Sequence, residues 1–230
     1  MNFSIQNPLL WITLTLAIYW IALRLKTKWN RPILNPVLTA CTLIMVILSL
    51  SSYPYEDYLK DNEIFTFMLG PSVVALGAYF HQYLPAIKKQ LIPFLVAVLV
   101  GSFISIISVS TIILLFEIPH DILKSVVAKS VTTPIALEVT KDIGGLPEII
   151  VPVVIITGIL GNVTGLHFMN KMGIKDLAAQ GVAMGVSAHG IGTAKAIESS
   201  PESGIFSGLA MCLNGLITAI ITPYLLIFLI

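Results

Sequence analysis

Thr133-Pro134-Ile135-Ala136-Leu137-Glu138 and Thr193-Ala194-Lys195-Ala196-Ile197-Glu198 repeat one pattern sixty residues apart: Thr, a small or imino residue, any residue, Ala, an aliphatic, then Glu. Each copy follows a polar, Gly/Ser/Thr-rich segment, Lys129-Ser130-Val131-Thr132 in the first and His189-Gly190-Ile191-Gly192 in the second. The surrounding chain is apolar. Hydrocarbon gives no reason to keep such residues at depth, so a matched pair of them marks a binding site.

The composition sets the solvent. The chain is 56% hydrophobic and 11% charged, with mean hydropathy +0.92, whereas soluble domains carry roughly 25% charged residues. This describes an integral membrane protein, read as one membrane domain over residues 1–230. A net charge of +1 leaves no electrostatic footprint for nucleic acid. Cys41 and Cys212 sit singly in apolar runs and read as packing residues. No Lys or Arg lies within Met1–Leu10, so the first apolar run is expected as a retained span and not a cleaved signal.

A membrane core of about 30 Å needs roughly 20 apolar residues in a helix. Six spans are expected: Leu9–Leu23, Leu34–Leu50, Ile64–Leu84, Leu91–Phe116, Ile149–Phe168 and Ile205–Leu229. Trp11, Trp20, Trp29, Tyr53, Tyr55, Tyr58 and Tyr83 fall near span ends, as interfacial aromatics do. Gly70-Pro71 should kink or divide the third span. Arg24, Lys26, Lys28 and Arg31 crowd the first connection and Lys88 and Lys89 the third, against Glu56, Asp57, Asp61 and Glu63 in the second. The positive-inside rule then places the N-terminus outside a cytoplasmic membrane.

The fourth span emerges at Glu117-Ile118-Pro119-His120, and the fifth leads to Lys171 and Lys175. The intervening segment must therefore leave and return on one face, as a re-entrant hairpin broken near Thr132–Pro134. The segment after Lys175 is expected to do the same from the opposite face. The fold class that follows is all-α and polytopic: about six spanning helices plus two re-entrant or broken helical hairpins forming an inverted repeat. Four N-terminal spans would occupy 1–117, and the two hairpin-plus-span units 121–168 and 174–230.

Two half-helix N-termini meeting near the midplane would attract an anion, because unpaired N–H groups and a partial positive charge collect there. Thr133 and Thr193 are each placed to begin a half-helix, and Pro134 suits its first position. Thr132, Thr133, Gly190, Gly192 and Thr193 would offer donors, with Lys129 or Lys195 as the countercharge. Glu138, His189 and Glu198 are the proton-coupling candidates; the two glutamates would otherwise pair with lysines. Lys124, Lys141 and Glu148 read equally well as interfacial side chains. The chemistry is reception of a small carboxylate-sized anion, with no bond broken. Gly185-Val186-Ser187-Ala188-His189 is not a nucleophile elbow. His81, His120, His167 and His189 lack metal-ligand spacing, and no phosphate or dinucleotide fingerprint is present. Neither an enzyme nor a cofactor is expected.

With these residues in view, the chain resembles the LrgB/CidB family of bacterial membrane proteins. The stretches that carry the resemblance are Lys129-Ser130-Val131-Thr132-Thr133-Pro134-Ile135-Ala136, Gly158-Ile159-Leu160-Gly161 and Gly185 to Ala194. The resemblance implies two different functions. Bacterial members are named antiholin-like or holin-like and are said to modulate murein hydrolase export and lysis with a smaller LrgA/CidA-type partner. A plant relative looks like a plastid glycolate/glycerate carrier, and some bacterial operons are linked to pyruvate uptake. The residue pattern favours a carrier; with what the resemblance implies, its expected substrates are short 2-hydroxy or 2-oxo monocarboxylates, and a homo-oligomer in lipid is expected. The alternative is an antiholin-like regulatory subunit acting through Gly-rich or lipid-facing spans such as Gly158-Ile159-Leu160-Gly161.

Overall fold

A computed structural model describes residues 8–29, 34–81 and 84–230. Arg31, Tyr83 and the stretch before Pro8, all used in the sidedness and interface readings, lie outside the described residues. The described residues form eleven helices and no strand: α1 (Pro8–Trp29), α2 (Pro36–Ser51), α3 (Tyr55–Asp61), α4 (Glu63–His81), α5 (Leu84–Lys89), α6 (Leu91–Leu115), α7 (His120–Val126), α8 (Thr133–Asp142), α9 (Pro147–Lys171), α10 (Leu177–Ser199) and α11 (Pro201–Leu229). Four of them, α1, α6, α9 and α11, are long and apolar enough to cross a membrane, and α2 is an apolar helix of 16 residues. The third expected span does not divide at Gly70-Pro71: α4 runs through Pro71. Proline frees the carbonyl four residues earlier, and membrane helices absorb this where neighbouring hydroxyls help. Ser72 Oγ donates to Met68 O at 2.7 Å, beside that carbonyl.

The chain falls into two compact units, Met1–Tyr79 and Phe80–Ile230. In the first, α1 packs on α2 through Ile18, Ala22 and Ala40. Asn35 starts α2, its Oδ1 accepting from Val37 N at 2.9 Å and Leu38 N at 3.3 Å, which satisfies two of the donors a helix start leaves open. One end of this unit is closed by a polar-aromatic cluster. Trp11 packs at a tilt on Tyr53 and meets Tyr58 edge-on, at centroid distances of 4.7 and 5.6 Å. Tyr53 Oη donates to the buried carboxylate of Asp61 at 2.7 Å, and Asn62 Nδ2 donates to Tyr58 O at 2.9 Å.

The second unit is built on α10 and α11. Gly181 and Gly185 face the backbone carbonyls of Ser203 and Ser207 so closely that a Cβ on either would collide with them. With no hydrophobic drive between helices in lipid, this close backbone approach is what holds such a pair. Phe94 and Val98 of α6 pack on the same pair through Phe206, Val182 and Val186. The short helices α7 and α8 lie against α9, with Ala128, Val131, Ala136 and Val139 packed on Ile150 and Val154. Leu146 N donates to Ser125 Oγ at 2.8 Å, tying the end of α7 to the start of α9. Neither α7 nor α8, at 7 and 10 residues, is long enough to span at 1.5 Å per residue.

Two predictions follow from these contacts. Gly185→Ala should destabilise the folded protein by about 1–3 kcal/mol, the usual effect of overpacking, whereas Gly77→Ala, with nothing within 4 Å, should leave stability equal or higher; thermal unfolding in detergent separates them. The hydrogen bond to Asp61, followed by burial and the nearby carboxylate charge, holds the Tyr53 phenol above its usual 10.0. Its stabilising contribution is therefore complete below about pH 10 and lost as pH climbs through the folded-state value. Tyrosinate absorbance should show the raised titration in the parent protein and its fall in Asp61→Asn.

Candidate functional site

Both expected helix breaks are present, and they differ in kind. In the first, the helix stops at Val126, the chain turns through 127–132, and α8 restarts at Thr133 with Thr132 at its cap and Pro134 in its first turn. This is the expected place. The hydroxyls of Thr132 and Thr133 accept and donate no hydrogen bond among the described residues, and Pro134 is exposed. The second break is not at Thr193. It lies at Ala188 (φ −131°, ψ 15°) and His189 (φ 41°, ψ −135°), inside α10. Thr193 sits further along the restarted half-helix, buried, with its Oγ1 2.9 Å from Ser207 Oγ.

The neighbouring helix explains the shift. Gly158 and Gly161 on α9 face the second break: a Cβ at Gly158 would meet the His189 ring at 2.8 Å and Ile191 Cδ1 at 2.9 Å, and one at Gly161 would run into Ala188. These glycines open the space into which α10 bends. They are taken up within the chain, and Gly158 is buried. His189 holds its strained positive φ with its Nε2 3.0 Å from Val154 O. Facing a carbonyl, that nitrogen carries the proton and donates, which leaves Nδ1 as the site able to exchange one. Asn162 Nδ2 donates to Ile191 O at 2.8 Å on the far side of the break.

One residue that the sequence reading passed over joins the two breaks. Asn214, 1% exposed in the middle of α11, donates through Nδ2 to Ser130 O at 3.0 Å in the first break and to Val186 O at 3.1 Å just before the second. Its Oδ1 lies 2.7 Å from Ser102 Oγ of α6 and 3.4 Å from Thr218 Oγ1. An amide has two donors and one two-lone-pair acceptor, and here all are used. The available signal was a carboxamide in the apolar run Leu213-Asn214-Gly215.

Beside this junction is a cavity of about 840 Å³. Its walls are one face each of α6 (Ala97, Gly101, Ile104), α9 (Thr157, Gly161, Gly165) and the first half of α10 (Ala179, Ala183, Ser187). Apart from Ile104, these residues are small and recur at helical spacing. Gln90 and Asp176 mark one end, level with the connections carrying Lys88, Lys89, Lys171 and Lys175. The other end holds Lys129, Ser130, Ser105 and Ser108. Lys129 Nζ donates to Ser130 Oγ at 3.1 Å, and Ser105 Oγ donates to the same atom at 2.8 Å. The lysine has no carboxylate partner among the described residues.

The remaining candidates lie elsewhere. Lys195 pairs with Glu198 at 2.8 Å and Glu138 with Lys141 at 2.9 Å, both at exposed i,i+3 positions outside the cavity. Thr132, Thr133, Pro134, His189, Gly190, Gly192 and Thr193 do not line it either. The structure thus separates the two lysines proposed as countercharge: one is paired at the surface, the other faces the cavity. Among the described residues no three His, Cys, Asp or Glu side chains gather as a metal site.

The Asn214 junction makes its own prediction. Asn214→Ala and Asn214→Asp both remove the two donors, leaving the carbonyls of Ser130 and Val186 buried and unpaired at about 1–3 kcal/mol each. Both variants should unfold earlier than the parent in a detergent thermal ramp, and Asn214→Asp should gain no advantage from its matching shape.

Comparison with known proteins places this arrangement. The family model described as the LrgB-like family matches residues 15–228. The chain is 32% identical to the "Holin-like protein CidB" of Staphylococcus epidermidis over 99% of both chains. It is 36% identical to the "Uncharacterized protein YwbG" of Bacillus subtilis over 94% of this chain and 96% of that one. An uncharacterised Haemophilus influenzae protein is 31% identical over 94% of this chain and 93% of its own. No solved structure matches.

Proposed function

The chain belongs to the LrgB-like family of membrane proteins, and from that premise we propose that it carries small 2-hydroxy or 2-oxo monocarboxylates across the cytoplasmic membrane, seating the carboxylate at Lys129. The observation that carries this reading is a lysine facing a cavity at the level of a helix break, without an acid to neutralise it. An ionisable side chain at membrane depth is expensive, and such groups are paired or serve a pathway. Lys129 has hydroxyls around it but no counter-ion among the described residues, so an anion completes the site.

The surroundings fit. Ser105 and Ser130 can turn their hydroxyls to an anion's oxygens, and the restarted α8 brings its positive end and the unengaged Thr132 and Thr133 hydroxyls to the same break. We read α7–α8 and α10 as two broken hairpins of an inverted repeat, each leading into a span that opens Pro-Glu, at Pro147-Glu148 and Pro201-Glu202. In this reading six segments cross, the N-terminus lies outside, and His189 Nδ1 is the exchanging proton site, with Glu138 and Glu198 as surface candidates.

A second reading has its own support. The Staphylococcus epidermidis relative is named a holin-like protein, and that name favours an antiholin-like or holin-like regulatory role over carriage. That reading places function on surfaces that meet another chain. The glycines of Gly158-Ile159-Leu160-Gly161 are not such a surface, because they face α10; Leu160 and the other exposed apolar side chains of α6, α9 and α11 would serve.

Proteoliposome uptake of labelled pyruvate, lactate, glycolate and glycerate, with and without a pH gradient, tests both. Carriage predicts saturable uptake that falls at least tenfold in Lys129→Met and is also reduced in Thr133→Val, with both variants folded. Uptake by neither parent nor variants, from folded protein, would sink the carrier and leave the holin-like role, which predicts that Lys129→Met is silent in a lysis assay.

A further inference from the structure

The cavity is larger than a two- or three-carbon acid needs, and most of it is apolar. Cavities of about 300–1,000 Å³ accept ligands with many more heavy atoms than pyruvate, and this one measures about 840 Å³. Its polar groups gather at one end, where Lys129, Ser130, Ser105 and Ser108 meet. Between that end and the Gln90–Asp176 end, the accessible walls are Pro93, Ala97, Ile104, Phe168, Ala179 and Ala183, backed by the buried Phe94, Val182 and Phe206. An apolar lining of this kind stabilises a ligand's hydrocarbon by removing it from water, whereas a water-filled vestibule for a small polar acid gains nothing from it.

Resting on the carboxylate reading above, we propose that the ligand of this site is a 2-hydroxy or 2-oxo monocarboxylate with an apolar side chain, branched, aliphatic or aryl, lying along the cavity from a carboxylate at Lys129. Charge and shape divide between the two ends. The ammonium and serine hydroxyls take the carboxylate and its neighbouring oxygen; the trough between α6, α9 and α10 takes the hydrocarbon. The small residues Ala97, Ala179 and Ala183 line the trough. Ala183 is exposed on the cavity wall, midway between Ala179 and Ser187 on one helix face, so a larger side chain there fills the trough without entering the packed α10–α11 contact.

The test is ligand-induced thermal stabilisation of the purified full chain by pyruvate, 2-oxobutyrate, 2-oxovalerate, 4-methyl-2-oxovalerate and phenylpyruvate. The methyl ester of 4-methyl-2-oxovalerate serves as the uncharged probe. Affinity should rise about three- to fourfold per added methylene, as burial of hydrocarbon gives, and the ester should bind at least tenfold more weakly than its acid. Ala183→Phe should erase the gain with side-chain length, and Lys129→Met should remove binding of short and long acids alike. Affinity that is flat or falls with side-chain length, while Lys129 still governs pyruvate binding, would overturn the apolar-ligand proposal and leave the carboxylate site standing. Gain with length that survives Ala183→Phe would place the hydrocarbon outside the trough and overturn it equally. Absence of Lys129-dependent binding by any acid would overturn both.

Discussion

The second unit depends on a single requirement: backbone carbonyls freed where helices break inside an apolar environment must find donors. Asn214 meets it at two places at once. Its amide nitrogen bonds Ser130 O and Val186 O, and its oxygen faces Ser102 and Thr218. Three helices and a turn therefore converge on one carboxamide. Lys129 owes its position to this, because it precedes the residue whose carbonyl is held.

Glycine and serine do the remaining work of bringing backbones together. Gly181 and Gly185 let α10 lie on the carbonyls of α11, and Gly158 and Gly161 let α9 receive the bend at Ala188–His189. Ala97, Ala179 and Ala183 are small residues with exposed positions on the same helices, and they line the cavity. Small residues thus have two opposite results, contact where two faces coincide and space where they do not. That difference is one of rotation about a helix axis, and so of tertiary arrangement.

The comparison of sequence and structure is uneven for physical reasons. The first break was legible because Thr132-Thr133-Pro134 carries its own punctuation: a cap residue, then a proline that cannot continue a preceding helix. The second was displaced by several residues because Gly190, Gly192 and Thr193 have turn-like composition but stay helical. Gly192 is in fact packed against Ala188 and Met184 O, a close contact across the break between the two halves of α10. Lys129 and Lys195 looked alike in sequence, and only the i,i+3 partner Glu198 tells them apart. Glu138 has a similar partner in Lys141. Asn214 stood in plain view as a polar residue in an apolar span, but nothing local names its partners, which lie 28 and 84 residues away in the chain.

By itself the sequence determined the solvent, the helical class, the family and the existence of two polar interruptions, because these follow from composition, span length and local backbone preference. The tertiary structure decided where the second helix bends, which lysine is left without an acid, and that a cavity lies beside it. The i,i+3 partner of Lys195 is local, but the bend and the cavity depend on which faces meet, and meeting faces are set by packing between segments distant in the chain, a property that no local pattern of residues contains.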